Sequence, residues 1–350
     1  MKRLDDPHSS CGAEVISCSA FRASGGAAAA CDVTKLCDRP IQLTTTFPGI
    51  FSGSHIMSVS HDTVFVSKEW LLQDPRKTLA KVISQLSHPL LQAGAHAYAP
   101  FFYKRAAITM IYVSNKLERT MPLRASTHDT FKVLYQLYDD DTDDLHAEPS
   151  SSWNAEGDIP LHIPIQLIQH LRALKFLFRC VDSPLTVDVI LKTHEILMAG
   201  AVDDEGAFIK NGTLRDHPSH AGTHVYPEGD PVVLRASLIR IVEQYIASMS
   251  VASPTLVEPA VRLFYNVITL HPFQNGNGRL CRLLFSFAMM QAGLPFPAAL
   301  TTGHSGARKH YMKSILLARR GDIRELATIA LMSVDYTISN FLENIHLTDV

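Results

Sequence analysis

The chain has 350 residues, 46% of them apolar and 19% charged, with a formal net charge of −2. That balance suits a folded body with a core of ordinary size and offers no concentrated basic face for nucleic acid. No apolar run approaches the ~20 residues that would span a bilayer, so neither nucleic acid nor membrane is expected as a partner.

The opening Met1-Lys-Arg-Leu-Asp-Asp-Pro-His8 lacks the apolar stretch of a secretory leader. A cytoplasmic location is expected; a nuclear one, or delivery as a bacterial effector, is compatible with the same features. Residues 1 to about 60 are rich in Ser, Ala, Gly and Thr without sustained periodicity and read as a flexible extension. Cys11, Cys18, Cys31 and Cys37 fall there, at spacings that match no standard zinc pattern. Alternation over 62–67 suggests one short strand. Helices are expected from there on, with residues 61–160 as an N-terminal helical region and 161–345 as the main domain.

Asp74-Pro75 is a capping pair that opens a helix over Arg76 to Leu91. A second helix is expected after Pro100, carrying Ala107, Met110, Ile111, Ser114 and Leu117 at helical spacing, and a third over Thr127 to Tyr138. The acidic run 139–144 lacks the glycine and glutamate of a calcium loop and reads as solvated. Helices follow at Ile165–Cys180 and Thr186–Ala199, the latter closed by Gly200. Residues 201–229, broken by glycine and proline, suit a β-hairpin or irregular flap. His217, His220 and His224 are spaced like metal ligands but have no cysteine nearby, and a zinc site is not expected there. Two further helices are predicted, from Asp230-Pro231 to Ser250 and from Glu258-Pro259 to Leu270.

The second of these delivers the chain directly to His271. Gly276-Asn-Gly278 stands between two apolar periodic segments, and Leu280, Leu283, Leu284 and Phe287 give the next helix a buried face. Glycines ahead of a helix let backbone N–H groups approach a ligand, and the helix N-terminus favours an anion. Arg279 and Arg282, three apart, share one face of the first turns and can reach one polyphosphate. His271 lies just upstream, where it could take a proton from a hydroxyl.

The sequence His271-Pro-Phe-Gln-Asn-Gly-Asn-Gly-Arg-Leu-Cys-Arg282 resembles the signature His-Pro-Phe-x-x-Gly-Asn-Gly-Arg-x-x-Arg of the Fic (Fido) family. Flanking text agrees at Pro184-Leu-Thr-Val-Asp188, His194-Glu-Ile-Leu-Met-Ala-Gly200 and Gly321-Asp322, and the likeness spans about residues 100–340. It implies an all-α core with a β-hairpin flap over the site. It also implies transfer of AMP from ATP, with Mg²⁺, to a Ser, Thr or Tyr hydroxyl of a protein. In that reading His271 is the general base. Gly276, Asn277, Gly278 and Arg279 hold the α- and β-phosphates, Arg282 holds the γ-phosphate, and Tyr311 lies where the family places an adenine-pocket tyrosine, its usual partner being replaced by Met312. Thr223, His224, Val225 and Tyr226 of the flap would grip the target segment. Homodimers are common in the family, so one is expected, although no stretch of this sequence marks an interface.

Two departures qualify the resemblance. Asn275 stands where AMP-transferring members carry an acidic Mg²⁺ ligand, which leaves the metal to the phosphates or points to another phosphate donor or a weakly active scaffold. Ser114-Asn-Lys-Leu-Glu118 resembles the family's inhibitory motif, whose glutamate pairs with the second signature arginine, here Arg282. Arg119 replaces the Gly or Asn that normally follows it. De-AMPylation is a further activity that Glu118 would support by orienting water. Ser152-Trp-Asn-Ala-Glu-Gly157 matches the inhibitory pattern fully but sits in a Pro/Ser-rich loop and is read as coincidence.

Overall fold

A computed structural model describes residues 75–86, 95–120, 127–139, 165–202, 206–221, 224–250, 257–301 and 306–346. The strand expected over 62–67, the four N-terminal cysteines, the acidic run beyond Asp139, the 152–157 motif, and Thr223 lie outside them. The described fold is all-α apart from one hairpin. In chain order it comprises α1 (Pro75–Leu86), α2 (Ala95–Glu118), α3 (Thr127–Asp139), α4 (Ile165–Arg179), α5 (Val187–Leu197), β1 (Ser219–Ala221), β2 (His224–Tyr226), α6 (Pro231–Ser250), α7 (Glu258–Leu270), α8 (Asn277–Gln291), α9 (Ala307–Arg319) and α10 (Arg324–His346). No helix among the described residues is long and apolar enough to cross a membrane.

Local chemistry explains most boundaries. Thr186 caps α5 by accepting a hydrogen bond from the Val189 N–H at 3.2 Å, and Gly200 turns the chain at φ 70° beyond its end. Asp230 accepts from the Val232 N–H at the start of α6. α2 differs from expectation: it begins at Ala95, so Pro100 stands inside it. Pro100 is the sixth residue of this helix, so it forfeits the backbone bond that an N–H there would make to His96 O, a local loss in a helix of 24 residues.

α8 is the axis of the core. Leu280, Cys281, Leu283, Leu284, Phe285, Phe287, Ala288 and Met289 are all buried, so this helix is apolar nearly all round. α7 packs along it, α4 and α5 cover other sides, and α2 lays Ile108, Ile111 and Val113 into the same cluster. Cys180 and Cys281 are buried free thiols. α1 is tied to α10 by Lys81, whose Nζ lies 2.9 Å from Asp335 Oδ1. The N-terminal ends of α8 and α9, the C-terminal ends of α2 and α7, and the hairpin converge at one place.

Candidate active site

The loop between α7 and α8 is shaped by its own side chains. His271, the residue after the last turn of α7, takes φ 51° and ψ 58°, a left-handed conformation rare outside glycine. Asn277 then closes the loop: its Oδ1 accepts from Phe273 N at 3.1 Å and its Nδ2 donates to Phe273 O at 2.7 Å. Both polar ends of Asn277 are thereby engaged, which fixes the side chain across the loop. Phe273 is fully buried and stacks on His194, ring centroids 3.7 Å apart at 9°.

Gly276 adopts φ 75°, and a Cβ there would collide with Met198 Sδ. No side chain caps α8, leaving its first-turn N–H groups and positive dipole end for an anion. Arg279 and Arg282 are both buried beside this end. Arg279 donates to Gln166 Oε1 at 3.3 Å and to Met198 Sδ at 3.4 Å. Burial, with Arg282 nearby, lowers Arg279 to about 10, against the pull of Glu118, yet it stays cationic at neutral pH.

Arg282 uses most of its donors on α2. Nε donates to Ser114 Oγ at 2.7 Å, Nη2 to Ser114 O at 3.2 Å and to Glu118 Oε1 at 2.6 Å, and Nη1 to Tyr311 OH at 3.2 Å. Burial opposes its charge, but the Glu118 carboxylate prevails and raises its pKa. Burial likewise pushes the Glu118 carboxyl up, and Arg282, with Arg279 and Arg308 farther out, outweighs it and holds the carboxyl below its usual range. The Glu118 side chain keeps 37% exposure, but Oε1 is turned onto Arg282 and lies so close to Gly278 that a Cβ there would collide with it. The carboxylate therefore rests on the first turn of α8, where an anion would sit.

Arg119 settles how α2 ends. It takes φ 59°; its N–H donates to Lys116 O at 3.3 Å, and Thr120 N–H donates to Asn115 O at 3.1 Å. These are the two bonds of a Schellman ending, formed here with arginine in the place glycine favours. Arg308 Nε also donates to Leu117 O at 2.9 Å, satisfying a terminal carbonyl of α2.

His271 itself is covered by the flap. β1 and β2 pair antiparallel, Ser219 with Tyr226, His220 with Val225, and Ala221 with His224. Tyr226 is buried and stacks face to face on His271, centroids 4.0 Å apart at 11°, while its hydroxyl accepts from Arg319. Tyr226 thus points onto the candidate base, whereas Val225 is 61% exposed and His224 is partly exposed. The His271 Nδ1 is buried without a hydrogen-bond partner. Burial lowers its pKa to about 4, with Arg215 and Arg319 pushing the same way against the Ile268 carbonyl and Glu118. At neutral pH the ring is unprotonated, as a base must be.

Residues outside the 271–282 signature complete the site. Arg215, buried in the glycine-rich stretch before β1, donates to His271 O at 2.7 Å, Leu270 O at 3.4 Å, His217 O at 2.8 Å and Glu228 O. Its backbone N–H reaches Pro272 O at 3.0 Å. One guanidinium thereby joins both arms of the flap to the C-terminal carbonyls of α7, where a cation is favoured. His194 donates from Nε2 to Asn275 O at 2.9 Å and accepts Gly212 N–H at Nδ1 at 3.0 Å, a pairing that fixes its neutral tautomer. Burial lowers its pKa to about 4. Tyr311 is buried behind Arg282, with Phe264 beside it, while Met312 next to it is exposed.

No group of three or more His, Cys, Asp or Glu among the described residues is placed to hold a metal ion; His217 instead pairs with Asp216 at 2.8 Å. The Mg²⁺ expected from the resemblance finds a poor donor set. Asn275 Oδ1 turns back to accept Gly276 N–H at 2.7 Å, residues 271–276 hold no carboxylate, and Glu118 faces Arg282. One neutral, already engaged oxygen does not suit a hard divalent cation.

Residues 184–289 match the Fic/DOC family. Among curated relatives, a Fido domain-containing protein of Dictyostelium discoideum is 26% identical over 148 residues, 41% of this chain and 99% of that one. Proteins named protein adenylyltransferase Fic are 29% identical in Drosophila erecta and 31% in Drosophila willistoni, each match covering 45% of this chain. The matched stretch is only 30% and 29% of those fly proteins' own length. In fold, the chain resembles Fic-1 (residues 134–508) of C. elegans with a TM-score of 0.51 at 18% identity, covering 77% of this chain and 71% of that one. A Fic family protein of Desulfovibrio desulfuricans G20 gives 0.52 at 16%, covering 80% and 76%. The motif, the fold around it and these likenesses agree: residues 184–289 are the part of this chain that matches the Fic/DOC family.

Proposed function

We propose that the chain transfers AMP from ATP to a hydroxyl of a target protein and is restrained at rest by Glu118. The observation that carries this reading is the single cluster made by the uncapped N-terminus of α8, Arg279, Arg282 and an unprotonated His271. The hydroxyl oxygen attacks the α-phosphorus as His271 takes its proton, the bond to the β-phosphate bridging oxygen breaks, and pyrophosphate leaves. Backbone N–H groups at Gly278 and Arg279, with the Arg279 guanidinium, stabilise the charge that develops; such catalysis is chiefly positioning and electrostatics. A target segment would lie along the flap by strand-like pairing, with the exposed Val225 beside it.

Restraint follows from competition. Arg282 is the group expected to receive the terminal phosphate, and in this state it is bound by Ser114, Glu118 and Tyr311. A triphosphate would have to displace the Glu118 carboxylate from the first turn of α8. Glu118→Gly is expected to raise protein labelling from ATP by about tenfold or more, equivalent to ~1.4 kcal/mol of relieved competition. His271→Ala in that background should abolish labelling. Unchanged labelling in Glu118→Gly would remove the restraint, and persistent labelling without His271 would remove the base.

Asn275 favours a second reading, a transferase of the same kind with another phosphate-containing donor. A panel of labelled nucleotides, each with and without Mg²⁺, separates the two. Labelling from ATP supports AMP transfer, and labelling confined to another donor supports the alternative. Loss of all labelling in Glu118→Gly would leave a nucleotide-binding scaffold.

A further inference from the structure

α9 links the two halves of the site. At its start Arg308 Nε donates to Leu117 O at 2.9 Å, at the end of α2. In its last turn Arg319 donates to the Tyr226 hydroxyl and lies over that ring, 5.4 Å from its centre. Tyr311, Ser314, Ile315 and Ala318 form the buried side of the helix. On the outer side Lys309, Lys313, Leu316 and Arg320 follow one another at intervals of four, three and four residues, which sets them on one stripe. All four are exposed, Leu316 by 48%.

The stripe carries one sign of charge. α9 holds no Asp or Glu, and among the described residues Lys309, Lys313 and Arg320 make no ion pair. The acids that follow it are already engaged, Asp322 by Arg324 and Glu325 by His310. Lys309 and Lys313, four apart, repel across one helical turn, and Leu316 leaves apolar surface in water. An acidic segment with an apolar side chain relieves both. We infer that this stripe reads the target protein: an acidic segment beside the acceptor hydroxyl lies along α9, with carboxylates on Lys309, Lys313 and Arg320 and an apolar side chain on Leu316. The inference rests on the transfer reading above, which brings the acceptor to His271 under the flap that Arg319 touches. Strand pairing with the flap supplies affinity through the main chain, and α9 supplies selection by side chain. From Arg319, Lys313 stands about 9 Å and Lys309 about 15 Å back along the helix axis. An extended segment rising ~3.3 Å per residue covers those distances in about three to five residues, so the acids belong that close to the acceptor.

Fluorescein-labelled synthetic peptides test this. They share one Thr and one Leu and differ only in carrying Glu, Gln or Lys at the remaining polar positions. Anisotropy titrations with the full chain, without nucleotide, should show the Glu peptide binding at least about tenfold more tightly than the Lys peptide at low salt, the difference shrinking as salt screens it. Lys309→Glu together with Lys313→Glu should reverse the order of those two peptides, and thermal melting checks the fold of that variant. Arg320→Glu, beyond the last turn, should lower the preference independently. In a Glu118→Gly background the paired reversal should raise KM for labelling of the Glu peptide with kcat little altered. Equal binding of all the peptides, or a preference that survives the reversals, would overturn the inference. So would tighter binding to phosphatidylserine vesicles or to an oligothymidylate than to the Glu peptide. Binding is read without nucleotide, so the two readings fail separately. A Glu preference without labelling strikes AMP transfer alone, and labelling without that preference strikes the surface alone.

Discussion

His271 combines an unusual backbone with an unusual titration. Its left-handed φ is held by Arg215 on its carbonyl and its ring is covered by Tyr226, and that same cover keeps the proton off. With the folded pKa near 4 rather than 6.5, labelling by the Glu118→Gly variant should stay flat as pH falls from 8 through 6. Rates measured in short pulses would contradict the burial of the ring if they halved near pH 6.5. Residues 271–282 were legible in the sequence because their chemistry depends on short covalent spacing. Arg215 and His194 were not, because their partners are mostly backbone groups, many of them 50 to 80 residues away, and backbone leaves no trace in residue type. Tyr226 was legible as a flap residue but not as the cover of the base, because alternation does not say which face of a two-stranded flap turns inward.

Among the elements, α2 shows what pattern can and cannot supply. Its apolar spacing and the Ser114/Glu118 pair were readable, but its start at Ala95 was hidden by Pro100, whose local penalty the helix tolerates. At its end Arg119 replaces the usual Gly or Asn, and the Schellman bonds show that the backbone adopts the glycine-like conformation regardless. That conformation costs about 1–2 kcal/mol for a residue with a Cβ. Arg119→Gly is therefore expected to stabilise the chain by about 0.5–1 kcal/mol, part of the gain being offset by the greater freedom of glycine in the unfolded chain. Urea titration monitored by circular dichroism measures the change, and a loss of stability would show that the Arg119 side chain makes compensating contacts.

At the scale of the whole molecule, among the described residues, the buried His170 and His194 and the partly buried His271 are held neutral, each with its pKa lowered chiefly by burial. The unfolded chain protonates such groups near 6.5, so below there, and down to about 4 for His194 and His271, it binds more protons than the folded one. Stability contributed by their burial is fully present above pH 6.5 and is lost as pH falls towards 4. At pH 5 the loss is at most roughly 2 kcal/mol per histidine. The depressed Glu118 carboxyl acts in the same direction at still lower pH. Denaturant unfolding should show a clear fall in stability between pH 7 and pH 5, and a flat profile would mean that water reaches these rings. The all-α class was legible because periodicity is a local property. The convergence of α2, α7, α8, α9 and the flap on one point was readable only through the family resemblance.

Arg282 has a consequence for how this chain can vary. The guanidinium expected to receive the terminal phosphate is the one that holds Glu118, so the restraint and the catch are a single part. Substituting Arg282 would release α2 and disable the site together, leaving no phenotype of excess activity. Hyperactive alleles should therefore fall on the α2 side of the contact, at Ser114, Glu118 and the Asn115–Thr120 ending that aims them, and a random screen for constitutive labelling should return α2 and spare the signature.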